Sequence, residues 1–105
     1  MSVTTYPDTI AVEIDSEIQS IVPEFLENRG KDCLLIRKLL ENDSFSEIRT
    51  IGHRMKGAGG SYGFDDISEV GETIEIAALA GDKQNIDSAV QRLSDYVERV
   101  AVVYI

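Results

Sequence analysis

The chain contains one histidine, His53, and it lies in the run Ile48 to Phe64, IRTIGHRMKGAGGSYGF. An imidazole has an unperturbed pKa of about 6.5, so at neutral pH it is largely deprotonated and can attack an electrophile. Lys56 follows one helical turn later, among Gly57, Gly59, Gly60 and Gly63. Wound at about 3.6 residues per turn, the stretch puts Arg49, His53, Lys56, Gly57 and Gly60 on one face. Ile48, Ile51, Met55, Ala58 and Tyr62 fall opposite, as an ordinary buried stripe, with Tyr62 and nearby Phe64 read as core. Each glycine costs a helix about 1 kcal/mol relative to alanine, so glycines beside a histidine need a reason. Either they let a neighbouring helix pack closely or they clear a path for a partner to reach the ring. The basic neighbours favour the second reading, because buried packing faces rarely carry Lys or Arg.

Few other chemistries are open. A metal site wants several His, Cys or carboxylate ligands at fixed spacing, and one His with one Cys twenty residues away supplies none. No glycine-rich phosphate loop follows a strand, which leaves no ATP site and no expectation of autophosphorylation. A Ser-His-Asp triad has no supporting motif, and no pair stands out among the carboxylates, which read as a solubilising surface.

His53-Arg-Met-Lys56-Gly57, with Gly63 beyond it, resembles the signature of histidine-containing phosphotransfer (HPt) domains of two-component phosphorelays: His, any residue, an apolar residue, Lys, Gly, then a later Gly. Met55 stands where leucine is common. The resemblance runs from about Asp15 to the C-terminus, with Phe25-Leu26 matching an apolar pair on an earlier helix and Ile74-Glu75 a Leu-Glu pair on the next. It implies that His53, through its outward nitrogen Nε2, is the phosphoacceptor. The phosphoryl group would pass to or from the aspartate of a response-regulator receiver domain, with a sensor histidine kinase, hybrid or simple, as the other partner. Lys56 would stabilise phosphoryl charge, and Arg49, Arg54, Gly57 and Gly60 would meet the partner, Arg54 from off to the side. No cofactor is expected on this chain; the Mg²⁺ and the acid–base groups would belong to the receiver.

The bulk properties fit such a carrier. The chain has 105 residues, enough for one domain with one core. A net charge of −9 argues against nucleic acid and anionic membrane, and it makes the cations around His53 stand out. No segment has the apolar length of a membrane span, and the N-terminus does not read as a secretory signal. The single Cys33 excludes an internal disulfide and suits a cytoplasmic location, with a packing role among Leu34, Leu35 and Ile36. A start at Met1 and an apolar last helix favour a free-standing carrier over a domain cut from a kinase.

Four amphipathic helices must hold the histidine. Residues 1–14 read as an extended tail, with Ile10, Val12 and Ile14 at period two and no second strand to pair with, and residues 15–105 as the helical bundle. Asp15 or Ser16 starts a short helix at about 16–22, Ser16 with Gln19 matching a capping box. Pro23 either divides it from a longer helix at about 23–41, the favoured reading, or kinks one long helix, and a stripe that includes Ile21, Phe25, Cys33 and Ile36 runs across both. Asn42-Asp43-Ser44 is a turn, and Ser44 with Glu47 forms a second capping box for the His53 helix, which runs to about Ser61 with Gly63 as its left-handed stop. Asp65 or Asp66 caps the third helix, whose stripe is Ile67, Val70, Ile74, Ala77 and Ala78, and Asp82 caps the fourth. In the fourth, Ile86, Val90, Leu93, Val97, Val100 and Tyr104 follow one stripe to the end of the chain. The expected fold is all-α: an antiparallel up-down four-helix bundle with an extra short N-terminal helix and an extended tail. A monomer is expected; self-association through the apolar last helix is the competing state. The alternative function is a helical adaptor or inhibitor that docks on a receiver or kinase without carrying phosphate, for which His53→Gln would change nothing.

Overall fold

Backbone chemistry sets where each element starts and stops. In the computed structural model, which describes residues 9–105, the order is β1 (Ile10–Ile14), a 3-10 segment (Ser16–Ile21), α1 (Val22–Glu41), α2 (Phe45–Tyr62), α3 (Asp65–Leu79), α4 (Lys83–Arg99) and β2 (Val100–Tyr104). Residues 1–8 of the expected tail lie outside the described residues. Pro23 sits in the first turn of α1, where its missing N–H costs nothing and its fixed φ suits helix entry. It therefore starts a helix and does not kink one.

The short helix expected before Pro23 is a 3-10 segment, the tighter winding common in single-turn pieces. Asp15 is its cap, with Oδ1 accepting the Glu17 N–H at 2.8 Å. The expected Ser16–Gln19 box does not form, because Ser16 is already inside the segment. Ile21 leaves the stripe and is 44% exposed.

Ser44 occupies the N-cap position of α2 as expected, but its hydroxyl makes no capping bond. Gly63 ends α2 at φ 88°, its N–H reaching the carbonyls of Gly59 and Gly60. The N-cap of α3 is Phe64, neither Asp65 nor Asp66. Burial decides this: Phe64 is fully buried against Phe25, ring centroids 5.4 Å apart, and the aspartates that follow it fall in the first turn, at the positive end of the helix dipole. Asp82 does cap α4, Oδ1 accepting the Asn85 N–H at 3.1 Å and Oδ2 the Asn85 side-chain amide at 2.7 Å. Asp82→Ala is expected to cost about 1 kcal/mol. That is a fall in melting temperature of roughly 5 °C, read by circular dichroism.

Short turns make successive helices antiparallel neighbours, and α1 also packs on α4, which closes the ring. Ile36, Ile48, Met55, Ile67, Ile74, Ile86, Val90 and Leu93, all from the predicted stripes, are fully buried. Cys33 is buried with them, its thiol directed at the Val90 carbonyl at 3.8 Å.

The closest seam is between α2 and α3. A Cβ built on Gly71 would lie 2.5 Å from the Lys56 nitrogen, one on Gly59 2.5 Å from the Ser68 nitrogen, and one on Gly52 2.7 Å from the Glu75 nitrogen. Rising numbers on α2 meet falling numbers on α3, as antiparallel packing requires.

Two expectations about the chain ends are corrected together. The last helix stops at Arg99, and Val100–Tyr104 is a strand, although Val100 and Tyr104 continue the helical spacing. The extended tail does have a partner: β1 pairs in parallel with β2, Ile10 opposite Val100 through Ile14 opposite Tyr104. VAVVY is rich in β-branched residues, and pairing satisfies the backbone groups that a bare tail would leave to water. The Ile105 N–H to Ile14 carbonyl bond and the Ser16 N–H to Ile105 carbonyl bond, each 2.9 Å, extend the ladder and tie the two ends of the bundle.

Candidate functional site

The α2 register that buries Ile48 and Met55 turns Arg49, His53, Lys56, Gly57 and Gly60 to solvent. His53 is 73% exposed at its side chain. Among the described residues its side-chain partner comes from the neighbouring helix: Glu75 Oε2 lies 3.0 Å from Nδ1. A carboxylate only accepts, so the nitrogen facing it carries the proton, and in a neutral ring Nε2 keeps its lone pair. Glu75 can reach the ring because Gly52 lets α3 approach at the level of the Glu75 backbone.

Lys56 is one turn along. Its ammonium meets Glu72 Oε2 at 2.9 Å, and this hydrogen bond, with the charge of Glu72, holds the lysine pKa above its ordinary value. Ser68 donates to the Lys56 carbonyl at 2.9 Å, a further tie between the two helices.

Arg49 joins His53, Glu75, Ser46 and Thr50 around a shallow cleft of about 300 Å³. Gly57 has open space where a Cβ would be, and at Gly60 only the Ser68 hydroxyl would come within 3.7 Å. Both therefore leave the surface beside the ring low. Arg54 does not line that cleft. It lies over the groove between α1 and α2, with Leu35, Leu39 and Ile51. Near it Asp32 pairs with Arg29 at 2.9 Å, and burial raises the Asp32 carboxyl in spite of that partner.

The two carboxylates beside His53 and Lys56 were not singled out in the sequence. Glu75 was noted only as half of an Ile-Glu pair, and Glu72 not at all. The available signal was a glycine, Gly71, followed by acids one helical turn apart on the face of α3 that meets α2. The division of labour among the glycines was also hidden. Gly52, Gly59 and Gly71 sit where α2 and α3 meet, whereas Gly57 and Gly60 face open surface.

A hollow of about 670 Å³ lies by the strands and is lined in part by Glu13, Asp65, Asp66 and Tyr96. Burial, with Asp66 and Asp65 nearby, pushes the Tyr96 hydroxyl up to about 12, so it stays protonated at neutral pH. Among the described residues no cluster of His, Cys, Asp or Glu is arranged to hold a metal ion, and no helix is long and apolar enough to cross a membrane.

The model of one family, the Hpt domain, matches residues 20–102. The chain belongs to the Hpt domain family. This agrees with the resemblance carried by His53, Lys56, Gly57 and Gly63 and with the four-helix bundle. Membership supports a role in histidine phosphotransfer within two-component signalling, where Hpt domains interact with receiver domains and histidine kinases. No curated protein and no solved structure matches the chain.

Proposed function

We propose that this Hpt domain is a phosphorelay intermediate whose His53 accepts a phosphoryl group and exchanges it with the aspartate of a response-regulator receiver. The observation that carries this reading is the exposed ring with Nδ1 3.0 Å from Glu75. In the forward step the Nε2 lone pair forms an N–P bond while the O–P bond of the receiver's acyl phosphate breaks, its electron pair leaving with the aspartate carboxylate. The ring becomes an imidazolium. Its new positive charge and its Nδ1 proton lie against Glu75, which lowers the energy of the state as charge develops. The reverse step returns the ring to neutrality.

Lys56, on the same face, neutralises phosphoryl oxygens, and Arg49 adds positive potential to the cleft. The low surface at Gly57 and Gly60 admits the partner's loops, and Arg54 meets the partner from the α1 side. The receiver supplies Mg²⁺ and the acid–base groups. The chain itself is a carrier without kinase activity, acting as a monomer in the cytoplasm with a sensor kinase on its other side.

The test uses purified chain and a panel of phosphorylated receiver domains from the same organism. Acid-labile, base-stable label on the chain is the expected result. Binding without label, with receivers shown to be competent on another carrier, would favour the phosphate-free adaptor instead. Glu75 should matter to rate more than to fold, since it touches the ring from the surface. Glu75→Gln keeps an acceptor for Nδ1–H but loses the charge, and Glu75→Ala loses both. Single-turnover transfer from a receiver should slow about tenfold for the first and about a hundredfold for the second. Equal rates for all three chains would remove Glu75 from the mechanism.

A further inference from the structure

Lys56 already has an anionic partner before any phosphoryl group arrives. Its ammonium is 2.9 Å from Glu72 Oε2, and both side chains are about half exposed, at 45% and 52%. Neither is held by packing, so the ammonium is free to turn. A phosphoryl group on Nε2 brings close to two negative charges at neutral pH and three acceptor oxygens. The phosphoryl oxygens draw the ammonium, and whatever share of it they take is lost to Glu72, a carboxylate on the same surface. Arg49 lies in the His53 cleft, Arg54 lies in a different groove, and Glu75 is occupied with Nδ1. Lys56 is thus a cation for which two anions compete, Glu72 and the phosphoryl group.

We propose that Glu72 sets the phosphoryl-transfer potential of His53 by competing for the Lys56 ammonium, keeping the loaded carrier ready to give up its group. The proposal rests on the carrier reading and adds a positioning residue to it. Glu72 touches neither the ring nor the phosphorus; it acts through where Lys56 is held. The transfer is the one already written, imidazole nitrogen and aspartate carboxylate exchanging one phosphoryl group, and Glu72 changes only its equilibrium.

The experiment loads His53 with phosphoramidate, whose P–N bond breaks with release of ammonia as the N–P bond to Nε2 forms. A receiver domain is then added, and the distribution of label between the two proteins is read at equilibrium. Glu72→Gln should shift it toward phosphohistidine about fivefold, the upper range for an exposed ion pair. Lys56→Met should shift it toward the receiver, and the double variant should match Lys56→Met. NMR titration of the Lys56 side chain should show a lower pKa in Glu72→Gln, which checks that the ion pair holds in solution; the loss of the Glu72→Gln shift in the Lys56→Met background is what a purely structural role would not produce. An unchanged equilibrium in Glu72→Gln would overturn the proposal. So would a shift that persists in the Lys56→Met background, since that would be plain charge repulsion. A wild-type chain that takes no label from phosphoramidate or receiver brings down the carrier reading and this proposal together. Label on the wild type with an indifferent Glu72→Gln brings down this proposal alone.

Discussion

Replacing His53 with glutamine should leave a folded chain that takes up no phosphoryl group. The ring is 73% exposed and meets Glu75 at Nδ1, so little folding energy depends on it. Surface substitutions of this kind change stability by about 0.5 kcal/mol or less, a melting shift of roughly 3 °C. The chemical loss should be complete. Glutamine has no lone pair on nitrogen comparable to that of imidazole, and the chain has no second histidine to which label could relocate. Incubation of wild type and variant with the same phosphorylated receiver, followed by counting of acid-labile label, checks it. Variant label equal to wild type would place the phosphoacceptor elsewhere and remove His53 from the proposed function.

The second large effect is on the scaffold. A methyl group on Gly71 would lie 2.5 Å from the Lys56 nitrogen, 2.8 Å from the Gly52 carbonyl oxygen and 2.9 Å from the Lys56 Cα. All three are backbone atoms of α2, so no rotamer change relieves the overlap and the helices must separate. Two terms oppose one another. Alanine gains about 1 kcal/mol of helix propensity over glycine, whereas overpacking costs up to about 3 kcal/mol, and more where backbone must move. The overlap wins, and Gly71→Ala should lose about 2 kcal/mol, a drop in melting temperature on the order of 10 °C.

Gly57→Ala is the matched control. No atom lies within 4 Å of its Cβ position, so it should gain helix propensity and melt at or slightly above wild type. Separation of α2 from α3 should also pull Glu75 from His53 and Glu72 from Lys56, so the folded fraction of Gly71→Ala should accept label more slowly. A Gly71→Ala chain that melts like wild type would mean that the seam is looser than its distances indicate.

Much of the architecture was legible because it is local. The stripes of α2, α3 and α4 follow the helical period, Pro23 and Gly63 act through their own backbone geometry, and Asp82 caps the helix that it immediately precedes. What failed was local chemistry overridden at a distance. Ser44 had the right neighbour in Glu47 but makes no capping bond, and Phe64 took the N-cap of α3 because the core claimed its ring. Val100 and Tyr104 fit a helical stripe and lie in a strand instead. Periodicity alone cannot weigh five residues of helix against a ladder with a segment ninety positions away.

The same division runs through the site. By itself the sequence determined that a lone histidine would stand on a helix face with Arg49, Lys56, Gly57 and Gly60, opposite an apolar stripe, since side-chain placement on one helix depends only on its period. The tertiary structure alone decided what that face touches. It brought Glu75 to Nδ1 and Glu72 to Lys56. These partners lie on α3, and their reach depends on how closely two backbones approach at Gly52, Gly59 and Gly71, a property of the pair of helices that neither strand of sequence contains.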